Sequence, residues 1–213
     1  MPKPLPWLAV LAIATLACGG KPKTPIPVAG SPPPREPIKP LITTPFAGQQ
    51  IAVVPITLVV GIDTLATVAP LSNHQQAVAW ADSLVGLALE TRRPEVKWAL
   101  PPELRKIARR SPTVAPDPDR MGQSLMRANS IDDVPEPLQS SLRSLVAMLN
   151  GRFALIPAAI TFVPEQSGVV RSEVSMVLAD SRTGKVVWRT VAWGLGATPT
   201  RALIAAMENV LPL

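Results

Sequence analysis

The chain has 213 residues with 26 prolines, one cysteine and one histidine, and its formal net charge is +6. A single cysteine excludes an internal disulfide, and together with the single histidine it excludes most metal sites built from these two residue types. The first 47 residues hold five basic residues and one acid, whereas the other 166 residues carry 16 basic and 14 acidic residues. Most of the excess positive charge therefore lies in the first 47 residues, and the net charge of the chain gives no support to a nucleic-acid partner.

The first 17 residues have the pattern of an export signal. Lys3 precedes an apolar run of 13 residues from Leu5 to Ala17. As a helix this run would span about 20 Å, less than the hydrocarbon core of roughly 30 Å. We therefore predict a signal peptide over residues 1–17 rather than a membrane span.

The end of this run, Thr-Leu-Ala-Cys-Gly-Gly at residues 15–20, resembles the bacterial lipoprotein processing box. It departs from the box at Thr15, where leucine is usual. The resemblance implies a lipid on Cys18 that anchors the chain in a membrane. Gly19 in place of aspartate implies the outer membrane, with the chain facing the periplasm. The alternative is a plain secretory signal in which Cys18 is incidental.

The segment that follows Cys18 has the composition of a spacer. Residues 19–47 contain nine prolines among 29 residues and show almost no hydrophobic periodicity, so they cannot bury enough surface to fold. We predict three parts: a signal peptide over residues 1–17, a lipidated Cys18 with a disordered proline-rich tether to residue 47, and one globular domain over residues 48–213.

The first part of the predicted domain contains short elements. Ile51 to Val60 is an apolar, β-branched run, which predicts a buried strand interrupted at Pro55. Ser72 precedes apolar residues at helical spacing and therefore predicts a helix start. We further predict a short strand over residues 95–100, a helix over residues 101–110, and one or two helical turns over residues 121–128.

The last third of the chain predicts a helix, three strands and a final helix. Pro135 and Pro137 open a helix that closes at Asn150-Gly151. The strands are predicted over residues 153–163, 170–179 and 185–194. The last helix begins near Thr198, with Leu203, Ile204, Met207, Val210 and Leu211 facing the core. Together these elements predict an α/β fold of the α+β kind, with a mixed sheet, an antiparallel C-terminal meander and about three main helices.

No catalytic, cofactor or metal site emerges from the motifs. Gly194-Leu-Gly196 lacks the third glycine of a dinucleotide loop, and Thr183-Gly184-Lys185 lacks the upstream glycine of a phosphate loop. His74, the only imidazole, has no nucleophile motif around it. We therefore predict a protein that is not an enzyme. A polar pocket that holds His74 beside Asp63 or Asp82 would favour the enzyme alternative.

One charged segment is a candidate interaction patch. Between Arg92 and Arg110, seven basic residues accompany only two acids, Glu95 and Glu103, with Trp98 among them. The candidate residues are Arg92, Arg93, Lys97, Trp98, Arg105, Lys106, Arg109 and Arg110. They would contact anionic headgroups, polysaccharide or an acidic protein surface, and the alternative is a solvated helix face.

The stretch from Phe153 to Gly196 contains Val-Leu-Ala-Asp, a turn, and Thr-Gly-Lys-Val-Val-Trp at residues 177–188. This pattern resembles a superfamily of bacterial envelope lipoproteins. Its members include the curli secretion-channel lipoprotein, penicillin-binding-protein activators and the amino-terminal domain of the Tol-system periplasmic protein. The resemblance implies a mixed sheet packed by helices.

These observations predict an accessory lipoprotein of the cell envelope that works by binding. Its expected partners are the membrane, through the lipid, and envelope proteins or peptidoglycan. The alternative is a ring-forming subunit of a secretion or transport assembly, which would make the chain a homo-oligomer, and a hydrolase is the third hypothesis.

Overall fold

The computed structural model describes residues 37–213, which build a six-stranded mixed sheet with helices on both faces. The strands are β1 (Gln50–Val53), β2 (Val59–Gly61), β3 (Lys97–Ala99), β4 (Phe153–Pro164), β5 (Val170–Asp180) and β6 (Val186–Gly196). The α-helices are α1 (His74–Arg92), α2 (Pro101–Arg110), α3 (Leu138–Met148) and α4 (Pro199–Val210). Short 3-10 turns occupy Thr44–Phe46, Asp63–Thr67, Gln123–Arg127 and Gln166–Gly168.

The sheet has the strand order β3-β1-β4-β5-β6, with β2 also paired to β4. β1 lies parallel to β3 and β4, whereas β4, β5 and β6 form an antiparallel meander. The predicted α+β class is therefore confirmed. Four α-helices, rather than about three, pack on the sheet in the described residues.

The apolar run from Ile51 to Val60 forms two strands instead of one. β1 and β2 both pair with β4, at Phe153–Leu155 and at Ile160–Phe162. Pro55 lies between them and has no N–H to donate to a ladder, so pairing stops there.

Two hydrophobic cores lie on opposite faces of the sheet, because side chains alternate along a strand. On β4, Leu155 and Phe162 belong to the core beneath α1 and α4. Ala154 and Ile156 belong to the core beneath α2, α3 and the turn Gln123–Arg127. Leu142, on α3, is fully buried in this second core.

Helix α4 packs on β6 at unusually short range. A β-carbon on Gly194 would lie 2.1 Å from the backbone nitrogen of Ala206, which is far inside van der Waals contact. The glycine is therefore required by the close approach of two backbones. Thr198 caps α4, since its side chain accepts a hydrogen bond from the N–H of Arg201 at 3.3 Å.

Residues 38–46 differ from the prediction that the tether runs to residue 47. Leu41 is buried, with 3% of its surface exposed, and its N–H donates to the carbonyl of Val210 at 2.8 Å. The ring of Phe46 stands edge-on to Phe153, with centroids 5.0 Å apart. The sequence pattern did not predict this docking, because single apolar residues between prolines show no periodicity.

Ile204 was predicted to face the core but is 38% exposed. It lies at the rim of an apolar cavity of about 200 Å³ between α1 and α4. The other predicted apolar residues of α4 are buried: Leu203, Met207, Val210 and Leu211. Within residues 37–213, no helix combines the length and hydrophobicity that crossing a membrane requires.

Candidate interaction surface

The basic segment from Arg92 to Arg110 spans the end of α1, strand β3 and the whole of α2. The structure does not bring its eight candidate residues into one exposed patch. It divides them into residues that hold the domain together and residues that face solvent.

Arg92 and Arg93 hold the C-terminal residues. The guanidinium of Arg92 donates to the carbonyl of Leu211 at 3.1 Å and to Glu208 at 2.6 Å. Arg93 donates to the carbonyl of Pro212. Both arginines are half-buried, so they fasten the end of the chain to α1 and are poorly placed to meet a partner.

Trp98 belongs to the same structural group. Its indole N–H donates to the carbonyl of Arg93 at 2.9 Å, and its ring packs against the core beneath α1 and α4. Lys97, its neighbour on β3, is exposed.

Arg105 forms the centre of a partly buried ion network, in which Asp82 is buried and Asp119 is exposed. It donates to Asp82 at 2.9 Å and to Asp119 at 2.7 Å. The other oxygen of Asp82 accepts the backbone N–H of Ile56 at 2.9 Å. The network therefore joins α1, α2, the loop after α2 and the link between β1 and β2.

The protonation of this network follows from its burial. Desolvation raises the pKa of Asp82, and the hydrogen bonds from Ile56 and Arg105 oppose that rise. The hydrogen bonds that Arg105 donates, first to Asp119 and then to Asp82, raise the pKa of Arg105 against its own desolvation. Arg105 therefore stays protonated, and its positive charge is paired with Asp82 and Asp119 within the domain.

Three basic residues of α2 remain on the surface. Lys106, Arg109 and Arg110 are exposed, and none has an ion-pair partner within residues 37–213. Their spacings of three and four residues place them on one side of the helix. We call these three residues the α2 cation face. It is supported from beneath by Leu104, which is buried, and by the Arg105 network.

Sequence reasoning missed the role of Asp82. It lies four residues after Val78 and three before Val85, which places an acid among the apolar residues of α1. Such an acid needs a buried cation. This signal could have separated Arg105 from the exposed bases, although nothing in the sequence chose Arg105 over its neighbours.

His74 lines an open cleft of about 570 Å³ together with Thr57, Arg105, Asp119 and Arg120. It begins α1 and is exposed. The enzyme alternative required His74 beside Asp63 or Asp82, but neither acid lines the cleft. Asp82 has both oxygens engaged by Ile56 and Arg105.

Aspartates in two loops have structural partners. Asp117 accepts the N–H of Asp119 at 3.1 Å, and Asp133 forms an ion pair with Lys185 at 2.8 Å. The Thr183-Gly184-Lys185 stretch is the turn between β5 and β6, where Asp180 accepts the N–H of Arg182 at 2.9 Å.

No cluster of histidine, cysteine, aspartate and glutamate that could hold a metal occurs in residues 37–213. Cys18, the predicted lipid attachment site, lies outside the described residues.

No family model and no curated protein matches the chain. Among solved structures, the LpoB C-terminal domain from Salmonella enterica matches with a TM-score of 0.38 and 12% identity, covering 71% of this chain and 84% of LpoB. PelC from Paraburkholderia phytofirmans, solved as a dodecamer, matches with a TM-score of 0.40 and 15% identity, covering 84% and 94%. Lipoprotein GNA1162 from Neisseria meningitidis matches with a TM-score of 0.32 and 16% identity, covering 70% and 81%.

The resemblance to envelope lipoproteins stays a prediction from the sequence. At such identities and TM-scores, the likeness says nothing about what this chain binds.

Proposed function

We propose that this chain is a lipid-anchored accessory protein of the cell envelope, held on the outer membrane facing the periplasm, and that it binds an acidic surface of another envelope protein. The proposal rests on one observation of the structure. The α2 cation face presents Lys106, Arg109 and Arg110 to solvent, with no acid paired to them within residues 37–213.

The support beneath α2 makes this face rigid. Arg105 fixes one side of the helix to Asp82 and Asp119, and Leu104 is buried in the second core. Cations on a fixed helix lose less conformational entropy on binding than cations on a mobile loop, so a larger part of the attraction remains as affinity.

The anchoring half of the proposal rests on Cys18 and the proline-rich residues after it. Lipid chains contribute about 0.8 kcal/mol per buried CH₂, so an acylated Cys18 would hold the chain on a membrane. Replacing Cys18 with alanine should move the protein from the membrane fraction to the soluble periplasmic fraction. A Cys18→Ala variant that stays with the membrane contradicts the anchor.

The binding half is tested by charge reversal on the α2 cation face. A photo-reactive residue replaces Thr113, which is exposed just after α2, and the full chain is crosslinked in living cells. Changing Arg109 and Arg110 together to glutamate should reduce the crosslinked protein species at least fivefold. In isolated envelopes, the chain with the photo-reactive residue and an unchanged α2 cation face should also crosslink less as the salt concentration is raised from about 0.15 to about 0.5 M.

The matched control is Arg182→Glu with Arg201→Glu, which reverses two exposed arginines outside α2. Arg105 stays unchanged in both double variants because its replacement would leave the carboxylate of Asp82 without its cation. Equal crosslinking by both double variants would contradict a role for the α2 cation face. Loss of binding to purified peptidoglycan, with unchanged protein crosslinks, would name the cell wall as the partner instead.

A further inference from the structure

Strand β6 forms one edge of the sheet, and no further strand of the described residues lies on its outer side. It has 11 residues, whereas β3 at the opposite edge has three. In the described residues the backbone of β6 is bonded on this outer side near its start, where Val186 donates its N–H to the carbonyl of Asp132 at 3.0 Å, and near its end, where the carbonyl of Trp193 accepts from Asn209 at 2.8 Å. A long unpaired edge is a template for an additional strand.

The backbone groups that face outward can be identified from two hydrogen bonds. Asp180 donates its N–H to the carbonyl of Lys185 on the inner side, and Asn209 reaches the carbonyl of Trp193 from outside the β5 pairing at 2.8 Å. Since inward and outward residues alternate in an antiparallel pair, Val191 and Leu195 also direct their N–H and C=O groups outward.

β6 lacks two common protections of an exposed edge, a proline and a charged side chain that points outward. It contains no proline, and its single charged residue, Arg189, turns away from the edge. The guanidinium of Arg189 donates to the carbonyls of Met126, Ala128 and Ile131 at 2.6–2.8 Å. A β-bulge near Val187 is the one irregularity. Natural edges usually carry an outward lysine or proline to block pairing.

A groove of about 420 Å³ runs along the first half of this edge and has two walls. One wall is the segment around Lys39, whose N–H donates to the Thr190 hydroxyl at 3.0 Å. The other is the loop held by Arg189. Because Thr190 and Arg189 are consecutive, their side chains lie on opposite faces of the sheet, so the walls rise on both sides of the edge.

These walls decide what kind of strand can enter. A second copy of the chain would bring its own two walls along its own β6, and these would collide before the backbones reached the ladder spacing of about 4.8 Å. An extended segment without flanking structure meets no such obstacle. Lys39 lines the groove, is exposed, and has no acid paired to it in the described part of the chain.

We propose that the groove along β6 binds an extended segment of a partner protein, which adds to the sheet as a further strand and places an acidic side chain beside Lys39. Backbone hydrogen bonds to Val191 and to Arg189, two residues before it, supply the affinity. Alternating apolar side chains on the segment meet Val187 and Val191. This site lies on β6 and does not depend on the α2 cation face.

The test uses the full chain in detergent and a fluorescent eight-residue peptide in which valine alternates with threonine or glutamate. Val191→Pro removes one outward N–H and leaves the pairing with β5 intact, because proline is tolerated on the outer side of an edge strand. We expect this variant to bind the peptide at least tenfold more weakly. Val191→Thr keeps the N–H and should bind within twofold of the unmodified chain.

One further variant and two modified peptides test the chemistry of the segment. Lys39→Glu should weaken the glutamate-containing peptide about tenfold and favour a peptide in which lysine replaces glutamate. A peptide with N-methyl groups on the residues that donate to β6 should not bind. Circular dichroism of Val191→Pro checks that the fold is retained.

Three results would overturn the proposal. The first is no peptide binding, or equal binding by Val191→Pro and Val191→Thr. The second is peptide binding that begins only after residues 19–36 are deleted, since the occupant would then be the chain's own spacer. The third is a dimer that Val191→Pro converts to a monomer while the peptide has no effect, since β6 would then pair with a second copy.

Discussion

The two ends of the basic segment carry similar residues but lie in opposite environments. At its start, Arg92 and Arg93 are half-buried and bind carbonyls of Leu211 and Pro212. At its end, Arg109 and Arg110 are exposed and have no ion-pair partner in residues 37–213.

The difference between the two ends comes from what lies opposite each of them. The first arginines face the unsatisfied carbonyls that follow the end of α4, where basic residues are favourable. The last ones face solvent on the outer side of α2. Charge density in a sequence therefore locates a basic segment, but only the packing of distant elements decides which of its cations are available for a partner.

The largest effect should come from Arg105, which lies between the two ends. Arg105→Met leaves the carboxylate of Asp82 buried without its cation, and breaking such a pair costs about 3–5 kcal/mol. Urea unfolding of the full chain measures this loss. Because the pKa of Asp82 would rise further, the loss should be greater at pH 7 than at pH 5.

A double variant separates the charge from the packing. Asp82→Leu combined with Arg105→Met removes both charges, and its loss of stability should be well below that of Arg105→Met alone. A loss below 1 kcal/mol for Arg105→Met would show that the network contributes little.

Arg92→Ala should have the next largest effect. It removes the hydrogen bond to the carbonyl of Leu211, worth about 1 kcal/mol, while the pair with the half-exposed Glu208 contributes little. Arg201→Ala on α4, which removes an exposed guanidinium, is the control and should cost under about 0.5 kcal/mol. Equal losses of stability for the two variants would show that Arg92 contributes no more to the fold than an exposed arginine does.

The exposed end should be neutral for stability. Lys106→Ala and Arg109→Ala should each change the free energy of unfolding by less than about 0.5 kcal/mol. Thermal or urea unfolding measures this change. A clear destabilisation would mean that the α2 cation face also supports the fold.

The smallest effect concerns Glu95, one of the two acids within the basic segment. The hydrogen bond from the Thr43 hydroxyl lowers the pKa of Glu95. A lowered carboxyl pKa contributes stability above its ordinary pKa, and that contribution is lost as the pH falls through the folded-state value. Thr43→Val should raise the pKa of Glu95 toward its ordinary value, as an NMR titration would show. An unchanged pKa would mean that residues 38–46 dock without this bond.

The elements of the fold could largely be read from the sequence because they follow local rules. Pro101 indicated the start of α2, Thr198 indicated the start of α4, and the alternation of residues 170–179 predicted β5. The split of the first apolar run followed from Pro55. The docking of Pro40 and Leu41 could not be predicted, since their partners Trp188 and Val210 lie far along the chain and leave no periodic pattern near residue 41.

The candidate site was only partly predictable for the same reason. The sequence located Lys106, Arg109 and Arg110, but it grouped them with Arg105, whose partners come from α1 and from the loop after α2. The groove along β6 gave no signal, because an edge strand and a central strand with the same alternation differ only in their neighbours.

The docking of residues 38–46 also sets the path of mechanical load. Any pull on the chain ahead of residue 37 reaches the folded part first through Lys39 and Leu41, whose N–H groups bond Thr190 on β6 and Val210 at the end of α4. The bond from the indole of Trp188 to the carbonyl of Pro40, at 3.1 Å, shares that load. Tension applied ahead of residue 37 would therefore act first on one wall of the β6 groove, and it would separate that wall from Thr190 before it unfolded the sheet.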